Sequence, residues 1–115
     1  MKIYGIPNCN TVKKTSDWLR LHQINFEFHD FKKLEISIDK LEYWSNLLGW
    51  EALLNKRGTT WKSLDPETQQ RIVSKESAFK LMQEKVSVIK RPVIETPGGL
   101  VLLGYNEEQL VELFN

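Results

Sequence analysis

The opening segment, residues 1–28, constrains the fold more than any later part of the chain. Residues 2–5 predict a short strand, residues 10–22 a helix with apolar positions on one face, and residues 24–28 a second strand of alternating polarity. Two strands joined by one helix over so short a distance run parallel, with a right-handed connection. The chain therefore begins with a compact βαβ unit, which indicates an α/β fold.

Cys9 lies in the turn between the first strand and the helix. We expect Asn8 or Asn10 to cap the helix, because a short polar side chain accepts hydrogen bonds from free backbone N–H groups there. These N–H groups, with Lys13 one turn along, favour the thiolate form of a neighbouring cysteine, which is the nucleophilic form. Cys9 is therefore the predicted catalytic residue. The alternative is that Cys9 is a small buried core residue.

The position that would complete a C-x-x-C pair holds Val12, and the chain has one cysteine in total. Cys9 therefore cannot form an internal disulfide. Any mixed disulfide on Cys9 has to be resolved by an outside thiol, such as glutathione or the thiol of a partner protein. A lone thiol suits a reducing compartment, so we expect a cytoplasmic protein.

Composition limits the remaining function classes. A chain of 115 residues fits one domain, residues 1–115, and a formal net charge of +1 gives no reason to expect nucleic acid as a partner. No apolar run approaches the roughly 18 residues that cross a bilayer, so no membrane contact is expected. No group of side chains has the spacing of a metal site, and neither a bound metal nor a bound cofactor is expected. Nothing in the pattern requires a dimer, which favours a monomer.

The middle of the chain is predicted to be mostly helical. Apolar spacing and capping residues predict these helices: residues 39–48, residues 51–55, a helix that begins at Asp65 and Pro66, and residues 74–84. Residues 57–60 predict a loop. This region, about residues 37–86, is expected to form a helical insert.

The end of the chain is predicted to return to strands. Residues 92–96 and 100–103 predict a hairpin around the turn at residues 97–99, and Asn106 caps a last helix whose Leu113 and Phe114 face inward. The resulting order of elements is that of a thioredoxin-like α/β fold. We therefore expect a four-stranded mixed sheet flanked by helices, with the helical insert.

Two basic segments are candidate anion sites. Pro92 begins a predicted strand, where proline requires an edge or a special bond. In a thioredoxin-like sheet this proline would be cis and would face Cys9, so that Arg91 could bind an anion with its planar guanidinium. Arg57 lies in a loop with glycine and threonine, which can bind an oxyanion through backbone and side-chain donors. The alternative for both segments is a solvated basic surface.

Several segments, in order, resemble the arsenate reductase-like ArsC/Spx family, and most closely its YffB-like branch. The matching segments are residues 4–6, Cys9, Thr11, residues 13–14, Phe26, residues 28–30, residues 32–33, residues 55–61, residues 89–92 and residues 104–105. The resemblance implies a thioredoxin-like fold with a helical insert and Cys9 as the catalytic cysteine. We expect the site to be shaped by Pro92, Asn8, Asn10 and Thr11.

The resemblance also implies a reaction. In glutaredoxin-coupled arsenate reductases the thiolate attacks arsenate and three arginines bind the oxyanion. Arg57 and Arg91 match two of these, but no arginine lies near residues 104–105, where the third is expected. We therefore expect a glutathione-dependent thiol reductase that acts through Cys9 alone, on a mixed disulfide or a small oxyanion, with glutathione or glutaredoxin as its partner. The alternatives are an arsenate reductase and a non-catalytic Spx-like regulator that binds RNA polymerase.

Overall fold

The computed structural model describes residues 1–114, and the last residue of the expected domain, Asn115, lies outside them. Four strands form one sheet in the order β2-β1-β3-β4: β1 Lys2–Gly5, β2 Glu27–Asp30, β3 Val93–Glu95 and β4 Val101–Leu103. Strands β1 and β2 are parallel, whereas β1 with β3 and β3 with β4 are antiparallel. The predicted four-stranded mixed sheet is confirmed.

Helices flank the sheet and fill the segment between β2 and β3. They are α1 Asn10–Leu21, α2 Phe31–Leu34, α3 Ile38–Leu48, α4 Trp50–Leu53, α5 Thr59–Lys62, α6 Pro66–Gln70, α7 Lys75–Glu84 and, after the sheet, α8 Glu107–Phe114. A 3-10 turn, Val86–Val88, precedes β3. Within residues 1–114, no helix is both long enough and apolar enough to cross a membrane.

The sheet has an apolar cluster on each face because successive residues of a strand point to opposite sides. On one side Ile3 and Ile94 pack with Trp18 and Leu19 of α1 and with Leu110 of α8. On the other side the helical segment covers Tyr4 and Val93, with large buried side chains that include the following: Phe31, Leu41, Trp44, Leu53, Phe79 and Met82. Both faces of the sheet are thus covered at its two central strands, β1 and β3.

The second strand differs from its prediction. Residues 24–28 were expected to form it, but β2 runs over Glu27–Asp30. Gln23 takes a positive φ of 58°, and the N–H of Ile24 then donates to the carbonyl of Leu19 at 2.9 Å. Residues 22–26 therefore close the end of α1 before the chain reaches the sheet, and pairing starts only at Glu27.

Two smaller expectations were also wrong. Residues 57–60 were expected to be a loop, yet α5 begins at Thr59 because Gly58 takes extended backbone as its N-cap and accepts a hydrogen bond from the N–H of Lys62 at 3.2 Å. Phe114 was expected to face inward but is 38% exposed, since it lies in the last turn of α8 and packs only loosely on Trp18.

Gly5 sets the distance between the end of β1 and the start of α1. A Cβ added at Gly5 would lie 2.6 Å from Cγ2 of Val12, which is closer than side-chain atoms can pack. The absence of a side chain at Gly5 therefore lets the first turn of α1 pack directly against the strand end. This packing fixes the position of the turn that contains Cys9.

Candidate active site

Cys9 is the N-cap residue of α1, with extended backbone at φ −111° and ψ 127°. The expectation that Asn8 or Asn10 caps this helix was wrong: both are exposed, and among residues 1–114 no side chain makes a capping hydrogen bond here. Neither asparagine is the N-cap, because Asn10 is already helical and Asn8 precedes the cap. The sulfur of Cys9 thus lies where a capping oxygen is usually found, beside the free N–H groups of the first turn.

The sulfur of Cys9 is half-buried and contacts a hydroxyl group. Its Sγ lies 3.1 Å from Oγ1 of Thr11, and the same Oγ1 lies 3.1 Å from the backbone carbonyl oxygen of Arg91. Thr11 therefore connects the start of α1 to the segment that precedes β3. This contact joins residues 80 positions apart in the chain.

Several groups stabilise the thiolate of Cys9. Burial alone raises the pKa of this thiol, but hydrogen bonds from Thr11 and the backbone N–H of Val12, together with the guanidinium of Arg91, outweigh burial. The pKa of Cys9 is therefore held below its ordinary value of 9.0. A larger fraction of Cys9 is ionised at neutral pH than of a free cysteine, which is the condition for nucleophilic chemistry.

The side chain of Arg91 is held by a hydrogen bond to the backbone of an earlier residue. Its Nη1 donates to the carbonyl of Ser87 at 2.9 Å, and the Arg91–Pro92 peptide bond is cis, as expected. Its Nε is buried and has no hydrogen-bond partner among the N and O atoms of residues 1–114. Pro92 is buried at the start of the strand segment. The guanidinium, which lowers the pKa of Cys9, therefore has a buried donor that no N or O atom of residues 1–114 accepts.

A polar cleft of about 400 Å³ adjoins this arrangement. Its lining residues come from four parts of the chain: Thr11, Asn55, Lys90, Arg91, Leu103, Gly104, Tyr105 and Asn106. Gly104 has a positive φ of 77°, and a Cβ added there would lie 3.6 Å from Cε of Lys90. Lys90 therefore extends along Gly104, and two cationic side chains border one cleft.

The other two predicted anion-binding residues lie elsewhere. Arg57 is exposed, and its backbone N–H donates to Oδ1 of Asn55 at 3.1 Å, but its side chain is absent from the described lining of the cleft. Lys13 lines a different cavity, with Pro7 and Phe28 among its neighbours. Lys13 does not line the cleft because it lies two positions after Thr11 on α1, and side chains two positions apart point to opposite sides of a helix.

Six of the eight lining residues of the cleft were not predicted as site residues, and Lys90 and Asn55 are two of them. Lys90 precedes Arg91 in one of the two basic segments. The sequence did not show that this lysine borders the cleft, because its position depends on the path of the chain after the 3-10 turn. Asn55 lies in a segment noted only for its resemblance, and it reaches the cleft because its N–H bonds the carbonyl of Val88 at 2.7 Å. That long-range bond leaves no local sequence signal.

The site contains a nucleophile without a histidine partner. His22 bonds the carbonyl of Trp18 and His29 bonds the carbonyl of Glu35, so both rings are used structurally. Across residues 1–114 no group of three His, Cys, Asp or Glu side chains could hold a metal ion. The arrangement therefore supports attack by a thiolate that is stabilised by backbone N–H groups, a hydroxyl and a guanidinium.

Comparison with known proteins places this geometry in a family. The model of the ArsC family matches residues 4–113. The chain belongs to the ArsC family. It is 37% identical over 112 residues to an uncharacterised protein of Haemophilus influenzae, a match that covers 97% of this chain and 96% of that one. It is 31% identical over 116 residues to the regulatory protein MgsR of Bacillus subtilis, covering 98% and 89% of the two chains.

Solved structures of the ArsC family share the same fold. The structure of a YFFB protein matches with a TM-score of 0.88 and 35% identity, covering 96% of each chain. An arsenate reductase-related protein of Brucella melitensis matches with a TM-score of 0.75 and 35% identity, covering 99% of this chain and 93% of that one. The relatives thus include a protein named as related to an arsenate reductase and a protein named as a regulator.

Proposed function

We propose that this chain is a glutathione-dependent thiol reductase with Cys9 as its only nucleophile. The observation that supports this most is the position of the Cys9 sulfur at the start of α1. The two side chains that stabilise its thiolate, Thr11 and Arg91, also line the polar cleft. A substrate in that cleft would lie between two cationic side chains and next to the two residues that contact the Cys9 sulfur. The single free thiol suits a reducing compartment, so we propose that the protein acts in the cytoplasm.

The proposed reaction is two successive thiol–disulfide exchanges. The Cys9 thiolate attacks the glutathione sulfur of a mixed disulfide, so that a new S–S bond forms, the old one breaks and the substrate thiol leaves as a thiolate that takes a proton from water. A second glutathione, as thiolate, then attacks the glutathione sulfur that is bonded to the Cys9 sulfur. This step releases glutathione disulfide and restores the Cys9 thiolate. The net reaction exchanges one disulfide for another: the substrate sulfur is reduced to a thiol, and the incoming glutathione is joined to the glutathione that the mixed disulfide carried.

The cleft fits a thiol compound that carries carboxylates. Lys90 and Arg91 border it, and charge-assisted hydrogen bonds to carboxylates are roughly twice as strong as neutral ones. Glutathione carries two carboxylates, whereas small neutral disulfides carry none. The proposal therefore assigns Arg91 to anion binding beside the sulfur and Lys90 to the outer part of the cleft. The roles of Arg57 and Lys13 as additional anion-binding residues are predictions that the same substrate series can test.

A change of one cation should alter selectivity for charged disulfides. We expect Lys90→Gln to slow the reaction of Cys9 with anionic glutathione disulfide about three- to tenfold, because one charge contact at a half-open cleft is lost. The reaction with neutral hydroxyethyl disulfide should change by less than about twofold. Second-order rate constants at pH 7 and low salt measure both, and Lys80→Gln, an exposed lysine on α7, controls for the loss of net charge. Equal slowing with both disulfides would contradict the assignment of Lys90.

A coupled assay tests the proposed function directly. The protein is mixed with glutathione, glutathione reductase and NADPH, and the mixed disulfide of glutathione and mercaptoethanol is added. We expect NADPH oxidation in proportion to the protein concentration, and none above background when arsenate and glutaredoxin replace the mixed disulfide. A protein whose thiol reacts with alkylating reagents but that reduces no mixed disulfide, with either glutathione or glutaredoxin as reductant, would refute the proposal.

A regulatory function is the second candidate, and one observation favours it. MgsR, at 31% identity, is named a regulatory protein. A protein of Lactiplantibacillus plantarum that is named global transcriptional regulator Spx matches at 26% identity over 110 residues. Retention of RNA polymerase on the immobilised protein, undisturbed by Cys9→Ser, would support this function. Failure of retention together with turnover in the coupled assay would support the reductase.

A further inference from the structure

The hydroxyl of Thr11 has one proton and two neighbouring acceptors. It lies 3.1 Å from the carbonyl oxygen of Arg91 and 3.1 Å from the sulfur of Cys9. A hydroxyl donates one hydrogen bond at a time and accepts up to two. While the sulfur carries its own proton, the thiol can donate to Oγ1 and Thr11 can donate to the carbonyl. Thr11 can donate to a thiolate only when its hydroxyl proton turns away from the carbonyl.

We propose that Thr11 is a positioning residue whose hydroxyl proton turns from the carbonyl of Arg91 to the sulfur of Cys9 whenever that sulfur becomes a thiolate. This inference rests on the proposed function, in which Cys9 gains and loses charge in every cycle. No proton is transferred to or from Thr11. The thiol proton goes to water, the threonine proton stays on Oγ1, and only its acceptor changes.

The surroundings of Thr11 suit this movement. Its backbone carbonyl accepts a hydrogen bond from the hydroxyl of Thr15 at 2.8 Å, which holds the first turn of α1. The Cβ of threonine is branched, so few χ1 positions are available and Oγ1 stays near both acceptors. The hydroxyl hydrogen, in contrast, rotates freely. The heavy atoms therefore stay in place while one light atom follows the charge.

The groups facing the sulfur differ in how they respond to its charge. The N–H of Val12 belongs to the backbone of α1, and Arg91 keeps its positive charge at all pH values of interest. Both favour the thiolate and offer nothing to the thiol. Thr11 alone among these three can accept from the thiol and donate to the thiolate. Its hydroxyl can therefore stay hydrogen-bonded to the sulfur in both the thiol and the thiolate form.

Two variants at position 11 test the inference. Thr11→Val removes the hydroxyl and keeps the branched shape, whereas Thr11→Ser keeps the hydroxyl. We expect the pH midpoint of Cys9 alkylation by iodoacetamide to rise by about one unit in Thr11→Val, the equivalent of one hydrogen bond to a charged group. The midpoint in Thr11→Ser should stay within a few tenths of a unit of the unmodified protein. Ultraviolet absorbance of the thiolate during a pH titration provides a second measurement of the same midpoint.

The outcomes separate this inference from the proposed function. An unchanged midpoint in Thr11→Val, or equal shifts in both variants, would overturn the role of the hydroxyl, since a purely structural effect does not distinguish serine from valine in this direction. Alkylation needs no disulfide substrate. A shifted midpoint in a protein that reduces no mixed disulfide would therefore sustain the inference about Thr11 while the proposed reductase function fails. Thr11 is exposed, so both variants are expected to fold, and circular dichroism checks this.

Discussion

Replacement of Cys9 with serine is expected to abolish the reduction of glutathione mixed disulfides, lowering turnover on the order of a thousandfold or more. The serine hydroxyl is not ionised near neutral pH, so it cannot open a disulfide. The chain has one cysteine, so no other thiol can replace Cys9. The coupled NADPH assay measures the loss, and the mixed disulfide with Cys9 should be absent from the mass spectrum of the variant.

Controls for this variant follow from the position of Cys9. The side chain is half-buried at a helix end, and the change of sulfur to oxygen is small, so the melting temperature should stay close to that of the unmodified protein. The rate of the unmodified protein should rise with pH and reach half of its maximum below pH 9.0, because the pKa of Cys9 is lowered by Thr11, Val12 and Arg91. Turnover that survives in Cys9→Ser would show that another group carries the reaction.

The position of Cys9 could be predicted from the sequence because the signal is local. A strand that ends at Gly5, a turn and the start of a helix are all visible within ten residues of one another. The cis bond at Pro92 was predicted because a proline at the start of this strand would be cis in a thioredoxin-like sheet. The choice of capping residue was wrong, because sequence preference favours asparagine, whereas a helix that begins at Asn10, as predicted, has Cys9 as its N-cap.

Other features depend on contacts that leave no local signal. The strand β2 was misplaced because a positive φ at Gln23 diverts the chain, and its register is set by pairing of Tyr4 with His29. Lys90 could not be distinguished from Lys13 as a cleft residue, because both are lysines close in sequence to important positions. Lys90 belongs to the segment before β3, which borders the cleft, whereas Lys13 lies on a side of α1 that lines a different cavity.

Glu95 on β3 is a further feature that sequence did not indicate, and it joins the helical segment to the sheet. Its carboxylate accepts hydrogen bonds from the hydroxyl of Tyr4 at 2.8 Å, Nε1 of Trp44 at 2.8 Å and Nζ of Lys40 at 2.9 Å. Tyr4 and Trp44 are buried, and the side chain of Glu95 is 19% exposed. Three donors from β1 and α3 thus share one carboxylate.

Removal of this carboxylate should destabilise the fold strongly. We expect Glu95→Ala to lower the free energy of unfolding by about 3–5 kcal/mol, because two buried donors and one cation lose their acceptor together. The melting temperature should fall by about 10 °C or more. Chemical denaturation measures the difference. The control is Glu42→Ala, which removes the 2.7 Å ion pair with Lys75 between side chains that are 39% and 36% exposed, and this variant should lose less than about 1 kcal/mol.

The contribution of Glu95 should also depend on pH in a defined direction. Burial raises the pKa of this carboxyl, but hydrogen bonds from Trp44, Lys40 and Tyr4 and the charge of Lys40 outweigh burial and hold the pKa below its ordinary value of 4.5. A carboxyl with a lowered folded pKa stabilises the fold fully above its unfolded pKa and loses this contribution as the pH falls through the folded pKa. The difference in unfolding free energy between the unmodified protein and Glu95→Gln should therefore be constant near neutral pH and shrink below pH 4.5. A difference that stays constant down to pH 3 would show that the carboxylate charge is not what joins the helical segment to the sheet.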